Sequence, residues 1–258
     1  MPTQIVHHKA SRLFLILGGF FIANVFTAEF IGVKIFSLEN TLGIPRFSLS
    51  MFGYDDLSMD LTCGVLLWPV VFVMTDIINE YYGRKGVRFL SFLSVGLIIY
   101  VFVMFFMGIK ADAPEWWLTT KQDQGVPDMQ DAFAAVYGQG LWIIIGSLVA
   151  FLVGQVVDVT VFHRIKRITG EKKIWLRATG STVVSQFIDS YVVLLIAFYV
   201  GADWDLSLVL AIGTVNYIYK FTVAVALTPV LYLAHDLIDR YLGFELAKEL
   251  REKAAAEG

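Results

Sequence analysis

The sequence predicts an all-α, polytopic membrane protein that crosses the bilayer six times, with both ends on the cytoplasmic side. Three observations carry this reading. Six apolar stretches each reach the roughly 20 residues a spanning helix needs. Polar and ionisable side chains inside those stretches recur at helical spacing, and lysine and arginine crowd into alternate connections. Composition agrees: 57% of the 258 residues are hydrophobic and 17% charged, against about 45–50% and about 25% in soluble domains. Open sheets cannot span, because their edges would leave backbone groups unpaired in lipid.

The stretches fall near 13–36, 62–82, 88–109, 138–161, 178–200 and 206–233. They form one domain over 1–258, with 237–258 a charged cytoplasmic tail read as a frayed helix. The first stretch follows Lys9 and Arg12 as a signal peptide would, but its apolar run is too long for an h-region and no small-x-small cleavage site follows. It is read as a permanent helix. The second and sixth contain Pro69 and Pro229, expected to kink them. The third, FLSFLSVGLIIYVFVMFFMG, has no polar stripe and is expected at the periphery. Between the first two, 37–60 places Gly43, Pro45 and Gly53 among short apolar runs, the pattern of a hairpin or re-entrant strand pair. Residues 110–137, with Pro114, Trp116 and Trp117, resemble an interfacial segment whose indoles sit at headgroup depth.

Orientation follows from the basic residues. With the N-terminus inside, the cytoplasmic parts hold fifteen lysines and arginines, and the outer connections hold only Arg46, Lys110 and Lys121. This bias agrees at every turn of the chain. It implies a multi-pass protein of the cytoplasmic, or inner, membrane.

Acids and bases are expensive inside a bilayer and usually face a bundle interior or cavity. The first helix carries Asn24. The second carries Asp76, Asn79 and Glu80 at i, i+3 and i+4, one helical face. The fourth carries Gln155 and Asp158, the fifth Gln186 and Asp189, the sixth Asn216 and Lys220. Each stripe is expected to turn toward a common centre, and these ten residues are the candidate substrate site. Lys220 and Asp189 sit at matching depth and should pair. Asp76 would then lack an embedded base and serve as a ligand or proton carboxylate reached by water from the cytoplasm. For Asn24 alone, interhelical glue is the better reading. Glu80 and Asp158 could simply meet the basic inner loops, and Glu29 and Lys34 read as snorkelling residues. The strings GQVVD (154–158) and SQFID (185–189) give a faint hint of an inverted repeat. Trp68, Phe72, Tyr191, Phe198, Tyr217, Tyr219 and Phe221 lie near the stripes. Most suit packing, and a few beside the polar groups would suit a flat heterocycle.

Chemistry has no positive signal. There is no G-x-x-x-x-G-K-[ST], G-x-S-x-G or H-E-x-x-H run, so no P-loop, nucleophile elbow or zincin motif. Cys63 is the only cysteine, and four histidines without paired spacing argue against a zinc site. No enzyme activity, cofactor, metal or nucleic-acid partner is expected.

The string MTDIINEYYGRK (74–85) resembles the hallmark of the queuosine precursor transporters, also called the vitamin uptake transporter family. WLRATGST (175–182), SQFIDSYVVLLIAFYVG (185–201) and Lys220 followed by Thr228-Pro229 agree in order. The stretch 37–63 is longer and more acidic than the family pattern. The resemblance implies import of 7-deazaguanine precursors of the tRNA base queuosine, chiefly 7-cyano-7-deazaguanine, salvaged for tRNA modification. It also implies a fold similar to the substrate-binding subunits of energy-coupling-factor importers. The family's motif residues fall on Asp76, Glu80, Gln186, Asp189 and Lys220. A guanine-like edge offers two adjacent donors to one carboxylate, and its carbonyl wants an amide or lysine donor. A homo-oligomer or an energising partner is compatible with these features. The alternative is a non-transporting membrane scaffold or assembly subunit whose polar groups only hold helices together.

Overall fold

The computed structural model describes residues 2–169 and 174–256; the expected inner-loop bases Lys172 and Lys173 lie outside them. Helices dominate, and among the described residues five are long and apolar enough to cross a membrane. The first, α1 (Pro2–Ile31), buries Leu13, Phe21, Val25 and Ala28 along one side. It stops short of the expected residue 36, because the chain turns at Gly32 and Ile35–Ser37 joins a strand pair.

That pair begins a cap at one end of the bundle. Strand β1 (Ile35–Ser37) lies antiparallel to β4 (Asp60–Thr62), and between them β2 (Leu49–Met51) and β3 (Tyr54–Leu57) form a hairpin. The hairpin expectation holds here. Its two turn residues, Phe52 (φ 53) and Gly53 (φ 82), both have positive φ, the twist that two-residue hairpins favour. A short helix, α2 (Leu38–Leu42), carries the wholly buried Glu39. Its carboxylate accepts from the backbone N–H of Met59 at 2.8 Å and of Phe47 at 3.4 Å, and from the Ser37 hydroxyl at 3.2 Å. Burial pushes this carboxyl up, but the backbone and hydroxyl hydrogen bonds outweigh it and hold it below the ordinary carboxylate range.

Beyond a 3₁₀ turn (Cys63–Leu66) comes α3 (Trp68–Lys110). The helix starts six residues later than expected, because Thr62 is still paired to Ile35. Its 43 residues are broken at Gly83, where φ 65 and ψ −171 leave helical space. The two parts correspond to the second and third expected stretches. Residues 74–81 are all buried, as in a helix surrounded on every side. After the break only Val87, Leu90, Ser91, Ser94 and Ile98 are buried, while Phe92, Ile99, Val103 and Phe106 are exposed. The peripheral place expected for this part is what the structure has.

The connection that follows contains α4 (Glu115–Leu118), with Trp116 exposed, and α5 (Met129–Tyr137). Helix α6 (Leu141–Thr169) packs antiparallel to α7 (Ile174–Leu194), which continues as a π-helix over Leu195–Val200. Next is α8 (Leu206–Ala226). The chain breaks at Leu227 and restarts as α9 (Thr228–Leu242). Pro69 does not kink α3, contrary to expectation, while the sixth stretch is interrupted just before Pro229, as expected. Pro69 and Pro229 both sit in first turns, where the missing N–H would have had no partner anyway. The tail is not frayed among its described residues. α10 (Phe244–Ala256) buries Ala247 and Ala254, and the Ala254 backbone lies 3.3 Å from where a Cβ on Gly83 would be.

Candidate functional site

The polar residues expected at one centre are divided between two places. At the cap end lies a cavity of about 800 Å³, within the range of small-molecule sites. Asp189 of α7 and Lys220 of α8 line it and form an ion pair, the ammonium donating to Asp189 Oδ2 at 2.6 Å. Both are buried. Asn216, one turn before Lys220, also lines the cavity; its Nδ2 donates to the Ile212 carbonyl at 3.0 Å. Trp68, Phe198 and Trp204 give it aromatic walls, the last two rings 4.5 Å apart.

Glu29 is the carboxylate that the sequence reading misassigned. It does not snorkel: it is buried, lines the cavity and accepts a hydrogen bond from Ser147 of α6. The signal was present, because Phe21, Val25 and Glu29 stand at i, i+4 and i+8 on the buried face of α1. The cap supplies further polar lining. Arg46 donates to Ser58 at 2.8 Å and to Asp60 at 3.3 Å, and all three line the cavity. Gly64 lets the 3₁₀ turn approach α1: a Cβ there would stand 2.6 Å from the Ala28 carbonyl oxygen.

The second place is a dense polar cluster between α3, α6 and α7, farther from the cap. Asp76 accepts from Ser181 at 3.3 Å and Thr182 at 3.2 Å. Asp158 accepts from Ser185 at 2.9 Å. Glu80 receives Arg177 at 2.7 Å and Lys166 at 3.2 Å, an ion triad with every member buried. Asn79 Oδ1 meets His163 Nε2 at 2.9 Å, and Gln155 accepts from Thr75 at 3.0 Å. Gln186 is wholly buried and neither of its amide atoms has a partner. None of these residues lines the large cavity. Asp76, expected within reach of water, borders only a space of about 10 Å³. Arg177 and Lys166 were assigned to the inner loop, but both helices run on far enough to bring them inside. Asn24 lies in neither place: its amide donates to Phe20 of its own helix at 2.8 Å, the local bond expected of an isolated asparagine.

The strings GQVVD and SQFID face each other across the α6–α7 contact. A Cβ on Gly154 would lie 3.6 Å from Asp189 Cβ, and Ser185 bonds Asp158. They make different bonds, Asp189 with a lysine and Asp158 with a hydroxyl.

The model for "Putative vitamin uptake transporter" matches residues 62–234. The chain belongs to the vitamin uptake transporter family. This family match runs from the end of β4 through α3, α6, α7 and α8 into α9, taking in both polar regions but not Glu29 or the cap. A Bacillus subtilis protein named "Probable queuosine precursor transporter" is 31% identical over 74% of this chain and 76% of its own length. One of the same name from Haemophilus influenzae is 29% identical over 88% of each. The "Queuosine precursor transporter" of Escherichia coli is 26% identical over 66% of this chain and 70% of its own. No solved structure matches the chain. As a vitamin uptake transporter with several apolar spanning helices, the protein is a multi-pass membrane transporter and not an enzyme.

Proposed function

We propose that this protein imports a queuosine precursor, 7-cyano-7-deazaguanine or a related 7-deazaguanine, across the cytoplasmic membrane for salvage into tRNA. The names of the three relatives supply the substrate class. The observation that carries the site is the cavity itself: a space of about 800 Å³ with aromatic walls, the buried carboxylates of Glu29 and Asp189 with the Lys220 ammonium, and Arg46, Asp56 and Asp60 from the cap. A flat heterocycle can stack on Trp68 or Phe198. Glu29, which receives one hydroxyl from Ser147, has lone pairs left for the paired donors of a guanine-like edge. Lys220 has N–H groups beyond the one given to Asp189, and the purine-type carbonyl is a fitting acceptor. In this reading the chain crosses six times, the Gly83 break separating the second and third crossings. The fifteen-to-three basic bias puts the cap outside, so the cavity faces incoming substrate. Asp76, Glu80 and their neighbours then lie beneath the binding site.

The test is tRNA from a host that cannot make the precursor. Expressing the chain should restore queuosine when 7-cyano-7-deazaguanine is supplied at low concentration. Purified chain in liposomes should take up the labelled compound. Equal queuosine with and without the chain, together with no liposome uptake, would overturn the reading and favour a scaffold.

A further inference from the structure

We propose that Asp76 and Asp158 together hold one transferable proton, and that substrate import is coupled to its passage. This rests on the transport reading above and adds its driving force.

The two carboxyls belong to α3 and α6 and are capped from one side by α7. Ser181 and Thr182 serve Asp76, and Ser185, one turn beyond Ser181, serves Asp158. Each is almost or wholly buried, and Asp158 Oδ2 has no partner. The charged and titratable groups around them are committed elsewhere. On α3, Glu80 is bound by Arg177 of α7 and Lys166 of α6. Lys220 of α8 holds Asp189 of α7, and His163 of α6 meets Asn79. On α9, His235 lies with Tyr81. Two neighbouring carboxylates in a dry interior, with hydroxyls as their only bonded partners among the described residues, cannot both stay ionised. One proton settles them: it adds to one carboxylate oxygen and leaves a single negative charge on the pair.

A route from the cavity is built into α7. Asp189 lines the cavity floor; Gln186 follows one turn on, and Thr182 one turn after that. At about 1.5 Å per residue the file is about 10 Å long. Gln186, wholly buried with both amide atoms unbonded, stands midway. Gln155, whose Nε2 is also unbonded, precedes Asp158 by one turn on α6. Unsatisfied amides of this kind are costly unless something passes or binds beside them. The small space beside Asp76 and Thr182, about 10 Å³, holds one water at most. A proton needs no coordination shell and fits a space of this size.

The experiment uses purified full-length chain in liposomes with labelled 7-cyano-7-deazaguanine. An inward proton gradient should drive accumulation beyond equilibration, and an inward sodium gradient at equal pH should not. In weakly buffered medium, substrate entry should take up about one proton per molecule. Asp158→Asn and Asp76→Asn should still exchange internal for external substrate but lose gradient-driven accumulation. If substrate only equilibrates under a proton gradient, or sodium alone drives it, the proposal fails while the transport reading stands. Full accumulation by both variants also defeats it. Absence of any substrate entry sinks both. If the variants do not fold, the proton count on the unaltered chain still decides.

Discussion

The cavity and the buried cluster are supplied by the same helix, two turns apart, yet one is open and the other solid. Along α7, Asp189 and Ser190 face a space of about 800 Å³, while Ser181, Thr182 and Ser185 are packed against α3 and α6. The difference comes from the facing residues. The cavity is bordered by Ala28, Gly32, Gly64, Gly138, Gly140 and Ala197, whose small side chains leave room. At the cluster the fully buried Phe162 lies under the Arg177 guanidinium, and the carboxylates of Asp76, Asp158 and Glu80 are taken up by bonds from neighbouring helices. Identical polar residue types therefore do different work: at the cavity there is room for a ligand beside them, and in the cluster there is room for nothing larger than a water or a proton.

The largest expected effect breaks the pair at the boundary of the two regions. Lys220→Met leaves Asp189 buried without its cation, and removing one partner of such a pair typically costs about 3–5 kcal/mol. Thermal unfolding in detergent should show that loss, and Lys220→Met combined with Asp189→Asn should recover much of it. A double variant as unstable as the single would mean that the pair is not coupled.

Glu29→Gln tests the cavity side alone. It keeps size and an acceptor for Ser147 but removes the charge, so stability should change little. Substrate affinity should fall by roughly 1.5–3 kcal/mol, the usual worth of a charged hydrogen bond. Unchanged affinity by ligand titration would take Glu29 out of the site.

The far end has its own signature. Burial pushes His235 down to about 4 from the ordinary 6.5, against the pull of Glu80 and Asp239. Between those values the unfolded chain binds more protons than the folded one. Stability from this residue is therefore complete above about 6.5 and lost as pH falls toward about 4. Melting temperature measured across that range should drop less in His235→Gln than in the unaltered chain. Parallel curves would assign the acid loss to other groups.

The smallest effect lies at the roof. Arg46 and Asp60 are both largely exposed, and such pairs contribute about 0–1 kcal/mol. Arg46→Ala should leave melting unchanged within that range. A larger loss would mean that the cap is closed by this contact.

Much of this fold could be read from the chain, because lipid forces long apolar helices and charges them heavily for polar exceptions. Five candidate spanning helices, the Gly83 division, the peripheral second part of α3 and the hairpin all follow from hydropathy and turn residues. The Asp189–Lys220 contact followed from depth matching. What escaped depends on packing across helices. Periodicity gives the face of a residue, not what the opposite helix places there, so residues on five helices were drawn to one centre when only Asp189, Asn216 and Lys220 of them line the cavity. Arg177 looked like a loop base because its helix has few apolar residues at that end. Glu29 looked like an interfacial acid because its partner, Ser147, is 118 positions away.

The docking of α10 on the break in α3 has a consequence for how the protein is made. Gly83 leaves the ribosome early, while Ala254, whose backbone covers it, belongs to the final turn of the last helix. The break in α3 must therefore enter the membrane uncovered and stay so through synthesis of every later helix. Arg251 of α10 closes in that step too, donating at 2.8 Å to the Asp239 carboxylate of α9 that Tyr81 of α3 also reaches at 2.7 Å. A chain that stalls before α10 is complete would carry the spanning helices from α1 to α8 with the Gly83 break still uncovered, a form that quality-control proteases could distinguish from one with α10 docked.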